Sequence, residues 1–438
     1  MKKILFIIPY IPYPLDSGGN QAFFNMVDYL RHEMNVSVLL IAKNHTHEEN
    51  IAELKKLWSN VTFYIYRPQT IKTAPVKIRH PFYYKWLLKA QASIARKIRR
   101  QLLQGPEPAD ENLDMVRLKS TLPGSIFERL STDYIEFVMQ TVKTGFDIIQ
   151  VEFYELISLG YILPQENVQT VFVHHELRYI HNENEMSLFR EVTDEDKMLF
   201  NVAKDFERDA LKKYKHIIAL TEVDRNILTK FIGREERIYA SPAVVKISGN
   251  EQREFVPSDS HRLTFVGSED HCPNLDAVIW FCREIIPQLR QQGFKFTFQV
   301  IGKWRSTYIK ELCAQYPEME LTGFVEDLRG FIKGSIALIP IRIGSGMRMK
   351  ILDAVSAGVP FITTTKGVEG IDFRNGQECL IADDATTFAK AIIQLADNPT
   401  LQKDMVDNAE KRLRGIYNPQ EMLHKRLEVY AEIMNCNI

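Results

Sequence analysis

Along the first half of the chain, short runs of aliphatic and β-branched residues alternate with longer segments whose apolar positions recur every three or four residues. The runs at 3–8, 36–41, 61–65, 147–151, 170–173 and 216–219 are apolar almost throughout, the pattern of strands buried on both faces of a parallel sheet. The segments between them read as crossover helices. After a polar stretch from Gly249 to His261 the alternation restarts, with strands expected at 263–266, 296–301, 336–340 and 359–363 and a weaker one at 320–322. From about Asp397 to Met434 the pattern is helical, with a break near Asn418 and Pro419.

The fold class this predicts is α/β, with two tandem Rossmann-like domains facing across a cleft. The expected division is 1–245 for the first domain and 246–415 for the second, with a C-terminal helix at 416–438 crossing back to brace the first. Ligands of open parallel sheets bind beyond the carboxyl ends of the strands, so two such domains make a cleft walled by loops from both. Neither domain opens with Gly-x-Gly-x-x-Gly, which removes the best signature of a nicotinamide or flavin dehydrogenase, and no Walker lysine motif is present.

Composition narrows the class further. At 438 residues the chain exceeds what one hydrophobic core supports, and 45% apolar with 25% charged residues is ordinary for a globular protein. A formal net charge of -1 gives no general attraction to nucleic acid. Five cysteines (Cys272, Cys282, Cys313, Cys379 and Cys436) are odd in number and lack metal-ligand spacing, which fits reduced thiols of a cytoplasmic protein. The apolar opening is read as a buried strand and not a signal peptide, because Pro9, Pro12 and Pro14 interrupt it and no small-residue cleavage site follows. No transmembrane helix is expected, since no run of about 18 apolar residues occurs.

The densest chemistry lies between Ile339 and Ala354. A buried strand leads through Gly344, Ser345 and Gly346 into a helix that carries Arg348, Lys350 and then Asp353. Free N–H groups and the partial positive charge of a helix start, reinforced by two cations, form an anion site best suited to phosphate, and Asp353 can accept hydrogen bonds from hydroxyls attached to it. A sugar nucleotide offers both groups. The competing reading is an ordinary strand–turn–helix junction whose glycines serve only the backbone.

Other loops after strands add candidates. Gly18 and Gly19, behind three prolines and before a helix expected to start near Asn20, can bring backbone N–H groups to an oxyanion, or form a simple turn. His174 and His175 end a strand and point opposite ways. His175 is favoured for the cleft, where it can donate to a sugar or move a proton, with His174 as the lesser candidate. Glu152 and Glu155 can bind acceptor hydroxyls or lie on a solvated loop. Asp194, Glu195 and Asp196 open a long amphipathic helix and read as its cap rather than as metal ligands, so no metal is invoked. In the second domain, Gly267 and Ser268 can meet a diphosphate while Asn274 fits an N-cap. The backbone around Gly323 to Val325 can pair with a nucleobase edge before a helix capped by Asp327. Glu369, between Gly367 and Gly370, can bind sugar hydroxyls or sit on a polar surface loop.

Taken together, Phe265-Val266-Gly267 with Pro273-Asn274, Leu321-Thr322-Gly323, the block from Pro340 to Ala357, and Gly367-Val368-Glu369-Gly370 resemble, in order and spacing, the glycosyltransferases of the two-domain GT-B fold, closest to family four (group 1-like). Pro12-Tyr13-Pro14, Gly18-Gly19 and His175 match more loosely. The resemblance implies a donor nucleotide-diphosphate sugar as substrate, with no cofactor and no metal, and a saccharide or lipid-linked acceptor held mainly by the first domain. It implies that Arg348 and Lys350 stabilise the departing diphosphate, Asp353 binds ribose, Gly346 and Met347 present N–H groups to phosphate, and His175 contacts the transferred sugar. Gly267, Ser268, Val325 and Glu369 complete the donor site, and Gly18 with Gly19 line the phosphate and acceptor side. Retention of configuration through a front-face mechanism and a place in surface polysaccharide biosynthesis are the family's usual attributes. A sugar-nucleotide epimerase on the same fold and a catalytically silent binding or scaffold protein are the alternatives.

Two departures stand out. Many relatives carry two glutamates eight positions apart where this chain has Ser345 and Asp353, and many place an Arg and a Lys where this chain has Ser268-Glu269-Asp270-His271. Diphosphate neutralisation therefore falls more heavily on Arg348 and Lys350. Separately, residues 71–105 hold nine Lys or Arg and no acid, interleaved with Phe82, Tyr83, Tyr84 and Trp86. An interfacial helix making a peripheral contact with the inner face of a membrane is one reading, and an amphipathic helix packed on its own domain is the other.

Overall fold

The computed structural model describes residues 1–15, 18–68, 114–243, 256, 261–346, 348–416 and 418–436. The basic segment 71–105 and Met347 lie outside them. Every paired strand among the described residues is parallel. The first sheet contains β1 (Lys3–Ile7), β2 (Asn35–Ile41), β3 (Thr62–Tyr66), β4 (Ile148–Glu152), β5 (Gln169–His174), β6 (His216–Ala219) and β7 (Ile238–Ala240), in the spatial order β3-β2-β1-β4-β5-β6-β7. The second contains β8 (Arg262–Val266), β9 (Thr297–Ile301), β10 (Met319–Gly323), β11 (Ile336–Ile339), β12 (Phe361–Thr363) and β13 (Leu380–Ile381), ordered β10-β9-β8-β11-β12-β13.

Both sheets follow the same logic. The opening strand sits between its successor on one side and a later strand on the other, so strand order reverses beside β1 and again beside β8. Loops diverge at such a point and leave a crevice beyond the carboxyl ends. Helices cover both faces, which is why β1, β4, β5 and β11 are buried along nearly their whole length, even the polar Gln150 and Glu152 of β4.

Local signals set the helix ends. Thr193 caps the helix Asp194–Leu211 through a reciprocal capping box with Asp196, so the three acids there serve the helix start. Asp327 caps Leu328–Ile332 by accepting from the Gly330 N–H, as its position before that helix predicts. Asn274 is not an N-cap. It lies inside the helix Cys272–Trp280, whose N-cap is His271, and its buried amide donates to the Ser268 carbonyl. The first long helix starts at Gly18, two residues ahead of the expected Asn20.

Two strands escape the sequence pattern. Ile238–Ala240 and Leu380–Ile381 are so short that no periodicity can announce them. The C-terminal helix Pro419–Asn435 joins the two domains: Met422 and Leu423 belong to the apolar core of the second, and Val429, Tyr430 and Ile433 to that of the first. Two polar anchors fix its register. Arg426, fully packed, donates from Nε to Ser241 Oγ at 2.7 Å, and Tyr430 donates its hydroxyl to Gln150 Oε1 at 2.7 Å.

Candidate functional site

The crevice at the switch point of the second sheet widens into an interdomain cavity of about 830 Å³, in the range of small-molecule sites. Four sequence candidates line it: Gly267 and Ser268 after β8, Val325 after β10, and Asp353 on the helix Met349–Ala357. The first domain contributes Leu15, Gln21 and Asn25. Gly18 and Gly19 begin the helix that carries Gln21 and Asn25 but are not themselves in the lining.

Two close backbone approaches shape the cavity wall. Gly302, at φ +129°, leaves no room for a side chain, because a Cβ would lie 1.9 Å from the Gly267 carbonyl oxygen. That same oxygen accepts a hydrogen bond from Trp304 Nε1 at 2.7 Å. The loop after β8 is thereby held by the loop after β9, which brings Lys303 to the cavity.

Behind this wall stands Lys350, and neither it nor Arg348 is among the residues lining the cavity. Lys350 Nζ donates to the Val266 carbonyl at 2.7 Å and lies 5.4 Å from the Phe265 ring centroid. Burial lowers its pKa to about 8, with Arg348 adding to the fall and Asp353 opposing it. Burial in turn raises the Asp353 carboxyl, against Lys350 and Arg329. Arg348 donates from Nη1 to the Ser345 carbonyl at 2.9 Å and from Nε to the Lys366 carbonyl at 3.3 Å. Burial lowers the Arg348 guanidinium, while Glu176, Glu369 and Asp224 pull it the other way.

Two polar atoms beside these groups are buried without a partner, Arg348 Nη2 and Glu369 Oε1. Glu369 spends its other oxygen on Lys366 Nζ, at 2.7 Å. Buried polar groups are nearly always satisfied, so orphans converging on one region point to a group that completes them.

The Gly344–Gly346 turn is docked on the first domain. Ser345, 4% exposed, accepts a hydrogen bond at Oγ from the Leu177 N–H at 2.6 Å, and the Gly344 N–H donates to Asn184 Oδ1 at 3.2 Å. Gly346, at φ +80°, lies against the His175 carbonyl. Ser345 is thus an interdomain fastener, and neither it nor Gly346 is among the residues lining the cavity.

From the first domain, His175 lies beyond the end of β5 and is half-buried, whereas His174 is buried and hydrogen-bonded to Glu207. His175 Nε2 is hydrogen-bonded to Glu152 Oε2 at 2.7 Å, and its ring stacks on Phe153 at 3.9 Å with planes 8° apart. Phe153 holds φ +71°, a conformation that costs a side-chain-bearing residue about 1–3 kcal/mol and is concentrated at working sites. Beside them the buried His181 bridges Glu176 and Glu185, the latter at 2.9 Å.

Several cavity residues escaped sequence reasoning. Lys303 follows a strand end by two positions, a signal that was legible, but Arg329 and Gln21 have no motif and join only through folding, while Phe324 belongs to the Gly323–Val325 turn already singled out. Arg342, within the conspicuous glycine block, turns out to be a structural residue. It pairs with Asp276 at 2.6 Å and covers Trp280 at 4.7 Å from the ring centroid.

Residues 260–398, most of the second domain, match the family model described as glycosyl transferases group 1. A Klebsiella pneumoniae protein, described as an uncharacterized 44.6 kDa protein in the cps region, is 24% identical over 168 residues, covering 36% of this chain and 43% of that protein. The chain thus matches less than half the length of that relative. Among solved structures, a variant of S. aureus TarM in complex with Fondaparinux, alpha-GlcNAc-glycerol and UDP superposes with TM-score 0.66 at 11% identity, covering 98% of this chain and 100% of that one. Anabaena HepE in complex with UDP-glucose gives 0.60 at 13% identity, covering 99% and 100%. Sucrose-phosphate synthase from Thermosynechococcus elongatus gives 0.62 at 13%, covering both chains completely. The fold is that of the GT-B glycosyltransferases. Within it, the part that matches the group 1 family model is residues 260–398.

Among the described residues, no helix is long and apolar enough to cross a membrane.

Proposed function

We propose that this chain transfers a sugar from a nucleotide-diphosphate donor to a saccharide or lipid-linked acceptor, at the cytoplasmic side of surface polysaccharide biosynthesis. The observation that carries the reading is a cavity walled by Asp353 and the loop after β8, with the buried cation Lys350 behind that wall on the Val266 carbonyl and Arg348, whose Nη2 is orphaned, two positions before it in the chain. The UDP complexes of the structural neighbours and the cps-region relative point the same way.

In this reading the nucleoside lies along Val325 and Asp353, with the ribose hydroxyls donating to the Asp353 carboxylate. The diphosphate meets Lys350 and Arg348. As the anomeric C–O bond to phosphate breaks, negative charge grows on the leaving oxygen, and two cations already held in place by Val266, Ser345 and Lys366 stabilise it without reorganising. The acceptor hydroxyl adds to the anomeric carbon from the same face and gives its proton to the departing phosphate, which retains configuration. His175, oriented by Glu152 and Phe153, contacts the transferred sugar. The charge on the leaving group is neutralised by these side chains, and no metal is needed.

The test is a thermal-shift screen of UDP, GDP, ADP and dTDP on the full chain, followed by hydrolysis and transfer assays with the matching sugar nucleotides in the presence and absence of EDTA. Stabilisation by at least one diphosphate, and anomer-retaining turnover that survives EDTA, are expected. A chain that binds none of them is a scaffold and not a transferase, and inverted product or loss of turnover with EDTA overturns the mechanism.

A further inference from the structure

Strand β4 is covered on both faces, yet it carries the polar pair Gln150 and Glu152. Two positions apart, they project from one face of the strand and meet there: Gln150 Nε2 donates to Glu152 Oε1 at 2.6 Å. Glu152 turns its other oxygen to His175 Nε2 at 2.7 Å, and Gln150 accepts at Oε1 from the Tyr430 hydroxyl at 2.7 Å. A continuous chain of hydrogen bonds therefore runs from the C-terminal helix to the histidine beyond β5. Tyr430, Gln150 and Glu152 are all buried, so water does not compete for any of these bonds.

The chemistry of the four groups fixes the direction of the chain. A carboxylate has no proton to give, so Glu152 accepts at both oxygens. The Gln150 amide must then present its nitrogen to Glu152 and its oxygen to Tyr430, which makes the phenol the donor. Burial raises the Tyr430 pKa to about 12, and the phenol keeps its proton. At the other end the same rule places a proton on His175 Nε2, which leaves Nδ1 as the acceptor nitrogen of the neutral ring. Phe153, stacked on the imidazole, holds its plane.

The helix at the far end belongs to both domains, with Met422 and Leu423 in the core of the second and Tyr430 in that of the first. Between them Arg426 gives its guanidinium to Ser241 and Met26, and it borders a cavity of about 20 Å³ together with Glu152 and His175. The helix thus reaches the surroundings of His175 at two points.

We propose that Tyr430 and Gln150 are positioning residues for His175: through Glu152 they fix which ring nitrogen carries the proton, and they tie that choice to the helix that joins the two domains. Their part in catalysis rests on the transferase reading above, in which His175 contacts the transferred sugar.

Long-range proton–nitrogen NMR of the full chain labelled with nitrogen-15 histidine, with His175→Gln to assign the signal, measures the tautomer directly. The neutral wild-type ring is expected to carry its proton on Nε2. Tyr430→Phe and Gln150→Met are each expected to give a mixture of tautomers and to lower kcat for transfer about tenfold or more, with the donor KM and the nucleoside diphosphate thermal shift kept. Ser241→Ala is the control: it takes a partner from Arg426 on the same helix without touching the chain, and should lower the melting temperature while the His175 signal stays. If Gln150→Met does not fold, Tyr430→Phe decides alone. A wild-type proton on Nδ1, an unchanged tautomer or kcat in the folded variants, or an equal change in Ser241→Ala overturns the assignment. The tautomer is measured without turnover, so failure of the transferase reading is distinguished from it, as the absence of any nucleotide-induced thermal shift.

Discussion

Gly346 and His175 touch across the two domains: at φ +80°, Gly346 brings its backbone so near the His175 carbonyl oxygen that a Cβ would lie 2.3 Å from it. The same His175 turns its ring toward Glu152. The glycine block of the second domain therefore helps set where the first-domain histidine stands relative to the second domain.

Gly346→Ala should consequently damage more than local geometry. Left-handed backbone costs an alanine about 1–2 kcal/mol, and the clash with a carbonyl oxygen must be relieved by moving the domains apart. A lower melting temperature and a fall of at least tenfold in sugar transfer, with far-ultraviolet circular dichroism unchanged, are expected. Wild-type transfer by this variant would show that the contact is incidental.

Arg348 and Lys350 should be catalytic in the strict sense. Removal of one preorganised donor from a developing charge costs about 10²–10³ in kcat, so Arg348→Ala and Lys350→Ala are each expected to fall in that range. Arg348→Lys should not restore the rate, because Nη1 and Nε hold two separate carbonyls in a fork that an ammonium cannot reproduce. Steady-state transfer kinetics check this, and undiminished turnover in either alanine variant removes that residue from the leaving-group site.

If the proposed donor site is right, Lys350 should make nucleotide affinity pH-dependent. With a pKa lowered to about 8 by burial, it is cationic below that value and neutral above it. Nucleoside diphosphate binding should weaken as pH rises through 8, by up to about tenfold per unit, with a proton taken up on binding near pH 8. Lys350→Arg should abolish that slope. Folding stability moves the other way: the unfolded lysine keeps its proton to about 10.4, so this residue's contribution to unfolding free energy rises between about pH 8 and 10. Isothermal titration in two buffers of different ionisation enthalpy measures the uptake, and a flat affinity between pH 7 and 9.5 contradicts the placement.

His181 locks the turn that carries Glu176. Burial works against its charge, but the Glu176 and Glu185 carboxylates outweigh it and hold the imidazolium to about 9. Its stabilisation is complete below the unfolded value near 6.5 and is lost as pH rises through 9. His181→Gln should cost about 3–5 kcal/mol at pH 6, the usual penalty for breaking a buried pair from one side, and progressively less by pH 9. Urea unfolding at both pH values compares the two chains, and equal stabilities at pH 6 refute the lock.

Strands buried on both faces write themselves into sequence as unbroken aliphatic runs, so both sheets, their parallel sense and their restart after Gly249 were legible from the chain alone. So was the glycine block with Arg348, Lys350 and Asp353, because a helix start with cations is a local device. What Ser345 does was not legible: its hydroxyl meets the Leu177 N–H 168 positions away, a contact that no spacing rule encodes. The same holds for Arg178 above Tyr154 and for Arg426 reaching Ser241 from the last helix. Local sequence determined the elements and their chemistry, because periodicity and turn residues act over a few positions. Only the tertiary structure decided which loops share a cavity and which glycine faces the other domain, because those contacts depend on how two separately packed sheets are joined.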